Sequence, residues 1–268
     1  VGTTLYPSSG EPIKMKLSKI RGVESHGMLC AEDELGLGTS HDGILVLNET
    51  IKIGTPVAQV FELEDDFQLE IGLTPNRADA MGHIGVARDL LASLNFHHKS
   101  ALTLKWPSIS EFKVESNETN INVSVADSIL CPRYAGTVIK NVKIEASPAW
   151  LQKRLRSVGL SPVNNVVDVT NFVMRELGTP LHAFDVAALN GKIEVKCAKA
   201  GEKFTTLDGV ERSLDDDQLM ITNGIDNLCI AGVFGGQTSG ISEQTTSVFL
   251  ESAYFNPVSV RKTARFHG

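Results

Sequence analysis

Long apolar runs are missing from these 268 residues. None approaches the roughly 18 consecutive apolar positions that a membrane-spanning helix needs, and no signal peptide is read at the start, so a cytoplasmic protein without membrane contact is expected. Cysteine is sparse. Cys30, Cys131, Cys197 and Cys229 lie far apart with no CxxC pair, which argues against a zinc site and a disulfide framework and for reduced thiols. Also absent are GxxxxGK[ST], GxGxxG and GxSxG, so a phosphate-cradling loop and a serine hydrolase elbow have no support. His41 in HDGILVL and the His97-His98 pair have no ligand partners at metal spacing, and no metal site is expected. Positive charge is in deficit. A formal net charge of −7 argues against a chain that coats nucleic acid through its global field, so any RNA contact must come from local basic clusters.

What is present divides into three stretches. Residues 1–61 are rich in glycine and short apolar runs, with Asp42-Gly43 as a turn signal, and predict a small β-barrel. Residues 62–118 open with DDFQLEIGL, read as a strand. They turn at Thr74-Pro75-Asn76, continue as a helix with Ile84, Ala87, Leu91 and Leu94 on one face, and end in a polar linker. From 119 onward, alternating apolar positions predict strands around 121–125, 134–142, KIEVKCA, KFTTL, LMIT, LCIAGVFGG and TSVFLESA, with turns at Asp208-Gly209 and Asn223-Gly224. The fold class is α+β, multidomain and strand-rich.

Two helices are predicted inside the third stretch. One runs through SPAWLQKRLRSVGL, with Ser147 as cap, Pro148 opening it and Gly159 ending it. The other has Val166, Val169, Val173 and Leu177 as its apolar stripe, Asn165 as cap and Gly178 followed by Pro180 as terminator. Its other face carries Asp168, Asn171 and Arg175 with Thr170 beside them, and His182 follows the turn. A further helix opens at Asn256-Pro257. The chain begins on Val1 without methionine and stops inside that helix, so a piece of something longer is expected.

Three features of the third stretch carry possible chemistry. His182 titrates near neutrality and could orient a water, although a lone histidine at a helix end is more often packed. Gly235-Gly236 lets backbone amides approach a ligand, although a tight turn explains it as well. Glu251 lies on a predicted strand between Phe249 and Ala253, where a carboxylate is costly to bury without a donor. It therefore reaches solvent or awaits a ligand. Basic residues form two groups, Lys153, Arg154 and Arg156 on one helix and Arg261, Lys262 and Arg265 on another. Solvated faces are the default for such runs and phosphate contact the alternative.

Five blocks in order, IRGVESHGMLCAEDELGLG, LTPNRADAMGHIGVARDLLA, PVNNVVDVTNFVMRELGTPLHAFD, IAGVFGGQTSGI and VFLESAYFNPVSVRKTARFHG, resemble the bacterial phenylalanyl-tRNA synthetase β subunit. The resemblance implies that 1–61 is the C-terminal part of a tRNA-binding OB-type barrel, that 62–118 is a small α/β domain with a linker, and that 119–268 is a B3/B4 editing domain, incomplete at its C-terminus. It implies hydrolysis of mischarged Tyr-tRNA(Phe) by that module. The site would have His182, Asn171 and Thr170 around the reacting ester and Glu251, Gly235 and Gly236 around the tyrosyl group. Partners implied are tRNA(Phe) and an α subunit in an α2β2 enzyme. ATP and Mg are implied for that complete enzyme and no cofactor for this stretch. A non-catalytic tRNA-binding and scaffold module is the alternative.

Overall fold

The computed structural model describes residues 1–38, 40–61, 66–117 and 121–268. Two units divide it, Val1–Phe67 and Gln68–Gly268. The expected boundaries at 61/62 and 118/119 adjoin positions 62–65 and 118–120, which lie outside the described residues.

In the first unit β1 (Thr4–Leu5) pairs antiparallel with β2 (Ile13–Lys14), β3 (Ser18–Ile20) pairs with β4 (Val23–Ser25), and α1 (Val57–Val60) is a single turn. Arg21 and Gly22, both at positive φ, make the two-residue turn between β3 and β4, the geometry that a tight hairpin requires. Where a barrel is expected, the described strands form two separate hairpins. Strands of two and three residues, mostly exposed, offer no continuous alternating face to close around a core. Asp42-Gly43 is a bend with no strand on either side.

The second unit begins differently from expectation, because residues 68–73 are exposed and form no strand. The Thr74-Pro75-Asn76 corner is present, its Thr74 carbonyl accepting from the Arg77 amide at 2.9 Å. After it α2 (His83–His98) buries Ile84, with Ala87, Leu91 and Leu94 half-buried along the same stripe. Among the described residues no helix is long and apolar enough to cross a membrane.

Then come β5 (Asn122–Val125), β6 (Arg133–Lys140), α3 (Ala149–Ser157), α4 (Asn165–Leu177), β7 (His182–Asp185), β8 (Lys192–Cys197), β9 (Lys203–Thr205), β10 (Glu211–Ser213), β11 (Leu219–Thr222), β12 (Asn227–Ile230), β13 (Phe234–Gly235), β14 (Ser247–Tyr254) and α5 (Pro257–His267). A five-stranded sheet has the order β13-β12-β11-β8-β5, antiparallel except for the parallel β5–β8 pair. A three-stranded antiparallel sheet has the order β6-β14-β7. Between them lies the main core. Ile193, Val195, Leu219, Ile221, Leu228 and Cys229 from the larger sheet meet Phe184 and Phe249 from the smaller. Ile193 with Val195 and Leu219 with Ile221 are the alternating positions that the strand periodicity selects, whereas Leu228 and Cys229 are consecutive on β12.

Both predicted caps move. Asn164, not Asn165, caps α4, accepting from the Val166 and Val167 amides at 3.1 and 3.0 Å. Asn165 instead donates to the Lys143 carbonyl at 2.9 Å. Pro148 is the residue before α3, and no side chain caps it. Ser147 is drawn away because its hydroxyl donates to Asp168 Oδ2 at 2.5 Å, while Asp168 Oδ1 accepts from the Val163 amide at 2.8 Å. Asp168 is fully buried, so this clasp accounts for the most conspicuous charge on the polar face of α4. Gly178, at φ +77, ends α4 as expected, and Asn256 caps α5 with Pro257 in its first turn.

Candidate functional site

Strand pairing brings His182 and Glu251 together. They are directly opposite each other on β7 and β14, and opposed residues of an antiparallel pair project to the same face. Phe184 and Phe249 are the next opposed pair on that face, and the His182 and Phe184 rings meet edge-on with centroids 4.4 Å apart. On the far side of β14 the residue opposite Glu251 is Gly136 of β6. Its missing side chain is a packing requirement, since a Cβ there would lie 2.0 Å from Phe249 Cζ.

Glu251 is only 6% exposed, so it neither reaches solvent nor stands without a donor. The Tyr134 hydroxyl of β6 donates to its Oε2 at 2.5 Å, and Tyr134 is its one hydrogen-bond partner among the described residues. Burial pushes the Glu251 carboxyl up to about 7, against the Tyr134 bond, which pulls it down. Burial first, then the Glu251 charge, raises the Tyr134 phenol and the nearby Cys131 and Cys229 thiols, so none of them carries charge near neutrality. For His182 burial has the opposite sense and lowers the imidazole pKa, leaving it neutral. Its Nε2 is buried and has no hydrogen-bond partner among the described residues. An unpaired buried ring nitrogen opposite a carboxyl that burial pushes up to about 7 is a polar site that a ligand could satisfy.

Gly235 borders this site. A Cβ on Gly235 would lie 3.2 Å from His182 Cε1 and 2.8 Å from Leu207 Cδ1, so glycine admits both side chains. Leu207, itself 59% exposed, is held there by its amide, which donates to the Gly235 carbonyl at 2.9 Å. Gly236 does something else. Its Cβ would meet the Leu228 carbonyl oxygen at 2.5 Å and the Phe204 ring at 2.8 Å, which is close packing between β12 of the larger sheet and β9. Thr170 and Asn171 sit on α4, which packs against β7. Neither bonds to His182. The Thr170 hydroxyl is buried and donates to its own helix at the Val167 carbonyl, 2.7 Å away, and Asn171 is half-buried.

The basic groups stand apart from this pocket. Arg154 and Arg156 are exposed on α3, with Arg156 donating to Gln152 Oε1 at 3.0 Å, and Lys153 is half-buried. On α5, Arg261 and Arg265 are exposed, whereas Lys262 is ion-paired with Asp217. Among the described residues no three histidine, cysteine or acidic side chains are grouped so as to hold a metal ion.

Tyr134 and Leu207 are the residues that sequence reasoning missed. Tyr134 lies on a correctly predicted strand, but only the β6–β14 register reveals that it reaches Glu251. Leu207 belongs to the Asp208-Gly209 turn, whose approach to Gly235 is a tertiary contact.

A stability experiment tests the buried carboxyl directly. Because the folded-state pKa of Glu251 is raised from its ordinary 4.5 to about 7, its contribution is intact below the unfolded value and is lost as pH rises through 7. Glu251→Gln has no such loss. Its stability relative to the native chain should therefore rise by about 1–3 kcal/mol between pH 5 and pH 8, read by urea denaturation. His182 contributes the opposite slope in both chains and cancels in the difference. Parallel pH profiles would show that Glu251 is solvated.

Residues 130–268 match the family described as the B3/4 domain. The phenylalanine–tRNA ligase β subunit of Bacteroides fragilis is 54% identical over 269 aligned positions, covering 100% of this chain and 33% of that protein. That of Porphyromonas gingivalis is 50% identical, covering 99% of this chain and 32% of that protein. The chain thus spans about a third of the length of the curated relatives it matches. An N-terminal fragment of the phenylalanyl-tRNA synthetase β subunit from Pyrococcus horikoshii aligns with 71% of this chain and 58% of its own, at TM-score 0.41 and 16% identity. On the match to residues 130–268, which is half of the chain, the protein belongs to the B3/4 domain family.

Proposed function

We propose that the B3/4 module of this chain removes tyrosine from mischarged Tyr-tRNA(Phe), within a phenylalanine–tRNA ligase whose α subunit performs the synthesis with ATP and Mg. The observation that carries this reading is the opposed pair of Glu251 and His182, a buried carboxylate and an unpaired imidazole nitrogen on one sheet face. Tyrosine differs from phenylalanine by one hydroxyl, and an apolar synthetic pocket rejects such an addition by only about a hundredfold. A second pocket that binds the hydroxyl supplies the remaining discrimination, because phenylalanine leaves its polar groups unpaired.

In this reading the tyrosyl phenol donates to Glu251, and Gly235 lets His182 and Leu207 close together at the edge of the pocket. Gly236 supports that strand from the sheet side. His182 orders the attacking water or the terminal ribose, with Asn171 and Thr170 on the adjoining helix shaping the approach. Water oxygen adds to the ester carbonyl carbon, the carbon–oxygen bond to the ribose breaks, and the ribose oxygen takes a proton. Free tyrosine and intact tRNA(Phe) result. The exposed Arg154, Arg156, Arg261 and Arg265 are the first candidates for tRNA phosphates, with Lys153 and Lys262 beside them.

The deciding experiment is deacylation of Tyr-tRNA(Phe) by the 268-residue chain and by the complete αβ enzyme. Hydrolysis above a no-protein control, with no Phe-tRNA formed by the chain alone, is the expected result. If the complete enzyme leaves Tyr-tRNA(Phe) intact, the non-catalytic tRNA-binding module is the correct reading.

A further inference from the structure

We propose that Tyr134 is a positioning residue for substrate discrimination: its phenolic hydroxyl holds Glu251 Oε2, leaving the other carboxylate oxygen to accept the hydroxyl of a tyrosyl substrate. This rests on the editing reading and names a determinant of it outside the residues that the sequence singled out.

The geometry begins with register. Tyr134 is opposite Ala253, two pairs along from the Gly136–Glu251 pair, so it lies diagonal to Glu251 on the same face. Diagonal neighbours are within reach of long side chains, and the small Ala253 leaves room for the Tyr134 ring to lean across. Glu251 has little freedom elsewhere. The Phe249 ring fills the space over Gly136 on the β6 side, and His182 stands opposite on β7. The 2.5 Å contact from Tyr134 therefore fixes one oxygen of a carboxylate whose surroundings are otherwise apolar or neutral.

Chemistry gives that contact a consequence. A carboxylate accepts at both oxygens, so one phenol bound inside the protein does not prevent a second from binding. Tyr134 offers Glu251 the same donor that the substrate would offer, and a short bond to a charged acceptor is stronger than a neutral one. The other titratable groups around Glu251 are Cys131 beside β6, Cys229 of β12 and His182 of β7, and none supplies a positive charge near neutrality. The Tyr134 hydroxyl is thus the internal donor that favours the ionised carboxyl against burial. Only the ionised form penalises phenylalanine fully, because an unpaired buried charge costs more than an unpaired neutral acid.

Tyr134→Phe removes that single hydroxyl and keeps the ring. In the complete αβ enzyme, the preference for Tyr-tRNA(Phe) over Phe-tRNA(Phe) hydrolysis should rise with pH, and in the variant the midpoint of that rise should move up by about one pH unit. At neutral pH the preference should fall about fivefold, and raising the pH should restore it. Carbon-13 titration of the Glu251 carboxyl in the 268-residue chain should show the same upward displacement without any tRNA. An unmoved midpoint in a variant that still hydrolyses Tyr-tRNA would overturn the proposal, as would rates lowered equally at every pH. Failure of the native enzyme to hydrolyse Tyr-tRNA would remove the editing reading itself. In that case a displaced Glu251 titration would still establish the Tyr134–Glu251 coupling.

Discussion

Replacing His182 by alanine in the complete αβ enzyme is expected to slow Tyr-tRNA(Phe) hydrolysis by on the order of 10² or more while leaving Phe-tRNA synthesis nearly unchanged. The ring is neutral because burial lowers its pKa, and its Nε2 has no partner among the described residues. A neutral imidazole nitrogen can accept from a water or a ribose hydroxyl, which an imidazolium cannot. Alanine would also take away the ring that packs edge-on against Phe184. Folding and chemistry must therefore be separated. His182→Asn keeps a polar side chain of similar breadth and should lose hydrolysis with a smaller change in unfolding midpoint. An equal fall in hydrolysis and synthesis would assign His182 a folding role. The profile in pH has a sign as well. Hydrolysis dependent on neutral His182 should weaken as pH falls through the lowered imidazole pKa, below the ordinary histidine range.

Glu251→Ala should affect choice of substrate more than turnover. If Glu251 accepts the tyrosyl hydroxyl as proposed, the variant loses about 1–3 kcal/mol of recognition, a fall of about 10–100-fold in Tyr-tRNA hydrolysis. Phe-tRNA hydrolysis should hold or rise, because the penalty of leaving the second oxygen of a buried carboxylate without a donor disappears with the carboxylate. At 6% exposure the carboxylate has little water to fall back on when phenylalanine offers no donor.

Periodicity and turn chemistry made much of this fold legible. The alternation at KIEVKCA, LMIT and TSVFLESA corresponds to β8, β11 and β14, and Gly178 and Asn256-Pro257 mark helix ends because their local geometry is set by residues within one turn. The misplaced caps have a tertiary cause. Ser147 has the chemistry of an N-cap, yet a buried carboxylate twenty-one positions away is the better acceptor, and Asn165 is taken by Lys143. The absent strand at 68–73 and the unclosed barrel show the limit of short apolar runs, which need a partner strand that local sequence does not name.

For the site, Glu251 was conspicuous as a charge in an apolar strand, and His182 as a histidine just after a helix terminator. Their apposition was not readable, because it depends on the register of β7 against β14, strands separated by more than sixty residues. The donor to Glu251 was likewise hidden. The sequence posed solvent or ligand as the alternatives for that carboxylate, and the fold supplies Tyr134. Gly235 and Gly236 look identical in sequence and differ in use, since one faces His182 and the other a packed phenylalanine.

The most direct measurement is the ratio of Tyr-tRNA(Phe) to Phe-tRNA(Phe) hydrolysis by the native αβ enzyme and its Glu251→Ala variant, assayed side by side at about pH 8, where the carboxyl is mostly ionised. A native ratio far above one that falls about 10–100-fold in the variant is the predicted result. A ratio that is the same in both would contradict the account, because tyrosine would then be selected somewhere other than at Glu251.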